Sequence, residues 1–203
     1  MLNIALFVSG RGSNLHAIIE KVSSKKICIC ALISDRKDCL AVKFAVSKNI
    51  PVYFVSNNEI EGFITYNILI EELKRKSVGL IVLAGFLKKI PDHFVDAFEN
   101  MIINIHPALL PKYGGSGMYG MNVHKSVFEA NERISGATVH FVDKIYDHGN
   151  IIFQESVDIL NANNPEEVAE IVLRIEHKIL PMIVEKFADG KISFINNRVF
   201  IKE

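Results

Sequence analysis

A strand-like stretch with two polar side chains near its end is the part of the chain best suited to chemistry. Residues 101–106 are apolar except for Asn104 and His106, and alternation along a strand puts those two side chains on the same face. Pro107 ends the strand because proline has no backbone N–H to donate. An amide donor beside an imidazole suits a reaction in which an oxygen becomes negative and a proton moves. The alternative is a capping asparagine and a core histidine.

A glycine-rich loop follows the first predicted strand. The segment Gly10-Arg11-Gly12-Ser13-Asn14 lies between that strand and a helix, an arrangement in which free N–H groups and the helix dipole bind an anion. It is not a P-loop, because no Gly-Lys-Ser/Thr follows. Leu15 replaces the third glycine of a dinucleotide fingerprint, although Asp35, after the second strand, keeps that alternative open. A simple tight turn is the other alternative.

The elements that must position these residues alternate between strand and helix. Such alternation predicts an α/β fold with a doubly wound, mostly parallel sheet, in which the strand ends at Gly12 and His106 open on the same edge. The predicted strands are 2–9, 27–34, 51–55, 78–84 and 101–106, and the predicted helices are 15–22, 39–48, 59–76 (capped by Asn57 or Asn58) and 91–99.

The pattern changes after His106. Residues 114–122 contain four glycines and predict a flexible loop, a candidate lid over the site. A short helix over 123–131, an antiparallel strand pair over 136–142 and 151–157, and a long helix from Asn164 to near Gly190 should follow. A hairpin around Asn196-Asn197 should end the chain. We expect one domain over residues 1–203.

Composition excludes several classes of function. The 203 residues carry 23 basic and 23 acidic side chains and are 49% hydrophobic, which predicts a large core and no nucleic-acid partner. No apolar run approaches the roughly 18–20 residues of a membrane span, and the first residues lack the features of a signal peptide. The odd number of cysteines, Cys28, Cys30 and Cys39, predicts a reduced cytoplasmic protein with mostly buried thiols. A zinc site at Cys28-x-Cys30 is disfavoured, because this pair lacks further ligands at usable spacing.

Three motifs follow one another along the chain: SGRGSNL over residues 9–15, NIHPALLPKY over 104–113, and GATVHFV over 136–142 followed by Tyr146-Asp147. In this order they resemble the motifs of the folate-dependent formyltransferases. The similarity extends from the first strand to Glu176-His177. The first motif is most similar to the branch of the family that formylates glycinamide ribonucleotide.

The resemblance implies a Rossmann-like formyltransferase fold and a set of site residues. Residues 1–105 would form a phosphate-binding half, and residues 106–203 the folate site and the C-terminal half. The implied roles are catalysis by Asn104, His106 and Asp147, phosphate binding by Gly12, Ser13 and Asn14, and contact with the glycinamide substrate by Glu176. The implied folate contacts are Leu87, Lys88, Lys89, Ile90, Asp143, Ile145 and Tyr146, with His140 as a supporting residue.

The chain also departs from the family pattern. His148 replaces a glycine of the usual Asp-Gly-Gly-Pro turn, which is expected to reshape the pterin loop. Leu173 stands where relatives often carry a polar or basic residue, so that the phosphate would depend on Arg174 or on the loop at Gly12. Lys88 and Lys89 stand near the position at which an arginine is common in the family.

The reaction implied by the resemblance is formyl transfer from 10-formyltetrahydrofolate to the amine of glycinamide ribonucleotide in de novo purine (IMP) synthesis. Both are small-molecule substrates, and the folate is a cosubstrate. No tightly bound cofactor, metal, nucleic acid or membrane is expected, and the chain would be a monomer or homodimer.

Four alternatives remain open. Two are related enzymes: a formyltetrahydrofolate hydrolase, which usually has a domain before the first strand, and a methionyl-tRNA formyltransferase. The others are a two-His-one-carboxylate metal site at His106, His140 and Asp147, and a non-enzymatic nucleotide-binding module. His124 and His140 are as compatible with structural as with catalytic roles.

Overall fold

The protein is described here by a computed structural model that covers residues 1–196 and 198–202. The strands of the main sheet are β1 (Leu2–Phe7), β2 (Ile27–Ser34), β3 (Val52–Phe54), β4 (Leu80–Leu83), β5 (Ile102–His106), β6 (Ile134–Phe141) and β7 (Ile151–Asp158). The helices are α1 (Ser13–Lys21), α2 (Leu40–Ser47), α3 (Tyr66–Arg75), α4 (Asp92–Ala97), α5 (Met121–Glu129) and α6 (Pro165–Ala188). A separate hairpin pairs β8 (Ile192–Ile195) with β9 (Arg198–Ile201).

The seven strands form one sheet in the order β3-β2-β1-β4-β5-β6-β7. The first five are parallel, and β6 and β7 are antiparallel to their neighbours. The prediction of a doubly wound, mostly parallel sheet with an antiparallel C-terminal part is therefore confirmed. Because helical crossovers cover both faces of a parallel sheet, its central strand β4 is apolar and buried at every position.

Strand β1 divides the core between the two faces of the sheet. Ile4, Leu6 and Val8 belong to a cluster that includes residues of α1, α5 and α6, whereas Ala5 and Phe7 belong to a cluster with residues of α3 and α4. Alternation along the strand produces this division. Packing on both faces fixes β1 between two helical layers. The loop that follows Phe7 is thereby held at the carboxyl edge of the sheet.

Helix α6 has the capping that its sequence predicts. The Asn164 side chain accepts a hydrogen bond from the Glu167 N–H at 2.9 Å, Pro165 occupies the first turn, and Pro181 lies inside the helix, which continues to Ala188. An asparagine cap followed by proline is a strong helix start. The helix packs against α1, α5, β6 and β7, which brings its middle turns to the sheet edge where the site lies.

Helix α3 is shorter than predicted. It begins at Tyr66 with Thr65 as its cap, so the prediction of a helix from Glu59 capped by Asn57 or Asn58 is wrong. Ile64 instead pairs with the end of β3 through backbone hydrogen bonds to Phe54 and Ser56, and Gly62 has a positive φ of 75°. Both features are incompatible with helix before Thr65. Helix α5 begins at Met121, two residues earlier than expected.

The remaining predictions concern the C-terminal hairpin, the thiols and membrane helices. The hairpin is confirmed, although Asn197 in its predicted turn lies outside the described residues. All three thiols are free, but only Cys39 is buried, while Cys28 and Cys30 are partly exposed. Over residues 1–196 and 198–202, no helix combines the length and apolar character needed to cross a bilayer.

Candidate active site

The carboxyl ends of β1, β4 and β5 open into one pocket of about 620 Å³. The loop after β1 contributes Gly10–Asn14, the loop after β4 contributes Gly85–Ile90, and β5 contributes Asn104 and His106. Crevices of this kind at the carboxyl edge of an α/β sheet are where such folds bind ligands. The predicted meeting of the glycine loop with the β5 polar pair is confirmed in its geometry.

His106 is buried, and a hydrogen bond at one ring nitrogen orients its ring. Its Nε2 lies 2.8 Å from the Tyr113 carbonyl oxygen, and because a carbonyl can only accept, Nε2 carries a hydrogen. Its Nδ1 lies 3.6 Å from Oδ2 of Asp147. Burial lowers the pKa of His106 below its ordinary value, although the Asp147 charge and the Tyr113 carbonyl oppose that shift. The resting imidazole is thus neutral near pH 7, with Nδ1 free to take a proton.

Asp147 joins the site from the turn between β6 and β7. It adopts a positive φ of 54°, which non-glycine residues rarely do without surrounding support. Its Oδ2 accepts the Gly115 N–H at 2.9 Å, and its Oδ1 lies 3.6 Å from Nε2 of His140. Burial raises the pKa of Asp147, but contacts with His140, His106 and Gly115 outweigh it and lower the pKa overall. The side chain is therefore a carboxylate at neutral pH.

Asn104 is oriented by His140 on the neighbouring strand. These residues face each other in the β5–β6 pair, and Asn104 Nδ2 lies 3.1 Å from His140 Nε2. The other ring nitrogen, Nδ1, donates to the Phe141 carbonyl at 2.8 Å, so in the neutral ring Nε2 accepts the amide hydrogen. This contact fixes which end of the Asn104 amide is the donor.

The glycine loop leads directly into α1. Gly12 has a positive φ of 77°, and a Cβ there would lie 2.7 Å from Cβ of Ala41, so both conformation and space require glycine. Ser13 opens the helix, whose first N–H groups point toward the pocket end and favour an anion. Asn14 turns inward instead, and its Nδ2 donates to Oε2 of Glu176 at 2.7 Å.

Glu176 is buried in the middle of α6 and lines the pocket. Burial raises the pKa of Glu176 to about 7, and the hydrogen bond from Asn14 opposes the shift. Burial therefore favours the neutral form of Glu176 much more than in an exposed carboxyl group. A carboxyl in this condition can exchange a proton with a ligand amine.

The loops after β4 and β6 form the far wall of the pocket. The residues expected to contact folate all line it, namely Leu87, Lys88, Lys89, Ile90, Asp143, Ile145 and Tyr146. Ile90 is buried, whereas Leu87, Ile145 and Tyr146 are exposed, which leaves apolar surface at the pocket mouth for a flat ring. Lys89 forms an exposed ion pair with Asp92 at 3.1 Å.

Comparison with known proteins identifies the family. The profile described as "Formyl transferase" matches residues 2–184. The chain belongs to the formyl transferase family. It is 40% identical over 195 residues to the chloroplastic phosphoribosylglycinamide formyltransferase of Arabidopsis thaliana, covering 94% of this chain and 67% of that protein. With the corresponding protein of Vigna unguiculata it is 39% identical over 193 residues, covering 93% and 62%, so it spans about two thirds of the length of these relatives.

A solved structure agrees with this assignment. The phosphoribosylglycinamide formyltransferase of Anaplasma phagocytophilum superimposes with a TM-score of 0.89 at 31% identity, covering 100% of this chain and 95% of the other. The formyltransferase fold expected from the three motifs is therefore confirmed.

The departures from the formyl transferase pattern are accommodated locally. His148 Nδ1 lies 2.9 Å from Oδ2 of Asp143, which closes the turn across the replaced glycine. Gly149 remains necessary, because a Cβ there would lie 1.9 Å from the Phe141 carbonyl oxygen. Leu173 lines the pocket, whereas Arg174 is exposed and lies outside it. The expected phosphate contact through Arg174 therefore has no geometric support, which leaves the Gly12 loop.

Some residues of the predicted loops line the pocket although no role was assigned to them from the sequence. They are Arg11 of the glycine loop and Ser116–Gly120 of the predicted lid. His124 is buried next to His106, and burial, with a further contribution from His106, lowers its pKa to about 4. Only its position after the glycine-rich loop could have indicated this placement.

Two alternative sites from the sequence analysis can be compared with this geometry. Asp35, proposed for a ribose, lies outside the pocket. In the part of the chain that the structure describes, no group of three or more His, Cys, Asp or Glu side chains is arranged to hold a metal ion.

Proposed function

We propose that this formyl transferase moves the formyl group of 10-formyltetrahydrofolate to the amine of glycinamide ribonucleotide in purine synthesis. The observation that supports it is one pocket with a glycine-loop anion site at one end and Asn104, His106 and Asp147 converging beside it. A pocket lined by both features suits a substrate that carries a phosphate and an amine. The names of the relatives point to the same substrate.

Asn104 stabilises the developing negative charge in this proposal. When the amine attacks the formyl carbon, the carbonyl oxygen becomes an oxyanion. One amide hydrogen of Asn104 is used by His140, and the second donates to that oxygen. A single preorganised donor of this kind contributes about 2.7–4 kcal/mol, or ~10²–10³ in rate.

Asp147 and His106 move the proton. The Asp147 carboxylate faces Nδ1 of the neutral His106 ring at 3.6 Å, so a proton released by the attacking amine is accepted by this pair, directly or through water. The imidazolium formed adds positive charge beside the oxyanion, and the proton then passes to the departing folate nitrogen. General acid–base transfer supplies ~10²–10⁴ in rate.

The binding residues divide the pocket between the two substrates. Gly12, Ser13 and Asn14 hold the phosphate through backbone N–H groups at the start of α1, and Glu176 contacts the glycinamide part. The apolar wall at Leu87, Ile90 and Ile145 packs on the pterin ring, with Lys88, Lys89, Asp143 and Tyr146 around it. His140 supports Asn104 and Asp147.

We further propose that residues 1–203 form one formyltransferase domain acting in the cytoplasm. Residues 1–105 would supply the phosphate site and residues 106–203 most of the folate site, although Leu87–Ile90 lie in the first half. Free thiols at all three cysteines are typical of a reducing compartment. Monomer and homodimer are both compatible with this proposal.

The deciding experiment is an assay with purified protein, glycinamide ribonucleotide and 10-formyltetrahydrofolate. We expect formylated product and tetrahydrofolate in equal amounts. A parallel reaction without the amine separates transfer from hydrolysis, because a hydrolase would release formate at the same rate in both. Release of formate without any formylated product would refute the proposed acceptor.

A further inference from the structure

The backbone that holds His106 is itself held by a contact outside the pocket. Tyr113, whose carbonyl oxygen accepts the His106 Nε2 hydrogen, has a positive φ of 56°. A bulky residue stays in that region only when its surroundings fix it. The cause of this conformation therefore has to be sought in the other contacts of Tyr113.

Glu132 provides that contact from the turn between α5 and β6. The Tyr113 hydroxyl donates to Glu132 Oε1 at 2.8 Å, and Lys112 Nζ lies 2.9 Å from the same oxygen. The hydrogen bond from Lys112 and then that from Tyr113 lower the pKa of Glu132, so the acceptor is charged and its bond to the phenol is charge-assisted. Tyr113 and Glu132 do not line the pocket, and their link to it is the hydrogen bond between the Tyr113 carbonyl and His106.

The consequence concerns the two nitrogens of the ring. A hydrogen bond at one imidazole nitrogen decides the tautomer and thereby the chemistry available at the other. With Nε2 committed to the Tyr113 carbonyl, Nδ1 is left facing Asp147. The other titratable groups around His106 are His140 and His124.

We propose that Tyr113 and Glu132 are positioning residues, which lock the Tyr113 carbonyl onto His106 Nε2 so that Nδ1, facing Asp147, is the nitrogen that exchanges the proton. The kinetic consequence rests on the proposed formyl transfer. The consequence for the histidine itself does not, because the tautomer exists in the free protein.

The test uses four variants of the full chain. Tyr113→Phe removes the hydroxyl and keeps the ring, and Glu132→Ala removes its acceptor. Glu132→Gln restores an uncharged acceptor. Lys112→Met is the matched control, since it removes the neighbouring ion pair at the same oxygen and leaves the phenol contact in place. Thermal unfolding of each variant checks that the fold is kept.

The first readout is nitrogen-15 NMR of His106, assigned by comparison with His106→Gln. We expect the wild type and Lys112→Met to show Nε2 protonated and Nδ1 bare at neutral pH. In Tyr113→Phe and Glu132→Ala the two tautomers should mix and the pKa of His106 should fall, because the carbonyl that raises it is no longer fixed. Glu132→Gln should recover most of the wild-type signature. Unchanged His106 shifts in folded Tyr113→Phe and Glu132→Ala would overturn the proposal.

The second readout is formyl transfer. We expect kcat to fall roughly 3- to 10-fold in Tyr113→Phe and Glu132→Ala, as for loss of one hydrogen bond, with KM for both substrates unchanged and partial recovery in Glu132→Gln. A rise in KM without a fall in kcat would contradict a role through His106. If the wild type lacks transfer activity, the proposed function fails, while the NMR result still decides the tautomer.

Discussion

At the scale of single residues, the site depends on a neutral His106 that lies beside an ionised Asp147. Burial lowers the pKa of His106, and polar contacts keep Asp147 ionised despite its own burial. A neutral base beside a carboxylate is the state that can take up a proton during the reaction. Asn104, held by His140, needs no change of protonation to act.

Removing these groups should affect turnover more than binding. We expect Asn104→Ala to lower kcat by ~10²–10³ and Asp147→Asn to lower it by ~10²–10⁴, with KM changed only a few-fold, since both act on charge that appears in the transition state. Steady-state kinetics with both substrates measure this, with exposed Asn58→Ala as the control. Near-normal kcat in both variants would refute the assigned roles.

Glu176 should make stability fall as pH rises. Its pKa is raised to about 7 in the folded protein from about 4.5 in the unfolded chain, so between these values the native state binds the extra proton and raising the pH favours unfolding. The effect amounts to roughly 3 kcal/mol between pH 4.5 and 7.

The measurement is urea unfolding of wild type and Glu176→Gln across this pH range. His106 and His124 have lowered pKa values and give the opposite slope, so the quantity to compare is the difference between the two proteins. We expect the free energy of unfolding of Glu176→Gln, measured relative to wild type at the same pH, to rise between pH 5 and pH 8. Wild type loses stability over this range, whereas glutamine does not titrate. A pH-independent difference would show that Glu176 titrates normally.

At the scale of elements, short turns fix the reacting groups more than the strands do. Asp147 enters the site because the turn from Val142 to Asn150 packs against the end of β6 at Gly149. His148 and Asp143 close the same turn. The loop at Gly115 is bound to this turn through Asp147, so turn and loop support each other.

A side chain at Gly149 should therefore disturb the site. The added Cβ of Gly149→Ala would meet the Phe141 carbonyl, and we expect a loss of stability of about 1–3 kcal/mol, as for overpacking. We also expect kcat to fall in the protein that remains folded, because Asp147 lies in the same turn. Denaturant unfolding and kinetics measure both effects. Asn150→Ala, whose side chain is exposed, is the control and should behave as wild type.

At the scale of the whole molecule, the pocket joins parts that are distant in sequence. Asn14 and Glu176 are 162 residues apart and form a direct hydrogen bond, and Gly115 bonds to Asp147. A ligand that spans the glycine loop and the β5 end contacts all of these segments. Binding should therefore stabilise the whole fold.

Glycinamide ribonucleotide at 100 times its Kd should raise the free energy of unfolding by about 2.7 kcal/mol. Glycinamide riboside, which lacks the phosphate, serves as the matched ligand and should stabilise less at equal concentration. Urea titrations with each compound make the comparison. Equal stabilisation by both would argue against an anion site at Gly12–Asn14.

The accuracy of the sequence predictions varied with the range of the interactions involved. Strands such as Ile27–Ser34 and the cap at Asn164 follow from local pattern and were predicted closely. The segment before Thr65 was assigned to helix and is not, because its pairing with β3 depends on a tertiary contact. Tyr113 and Glu132 carry no local signal of their contact with each other.

The sequence alone determined the order of strands and helices, the glycine loop and the polar pair at the end of β5, because periodicity, caps and breakers are local properties of the chain. It also carried the motifs that define the family. The tertiary structure decided which nitrogen of His106 faces Asp147, how far the pKa of Glu176 rises, and which loops enclose the pocket. These depend on burial and on contacts between residues far apart along the chain, and only the folded arrangement determines them.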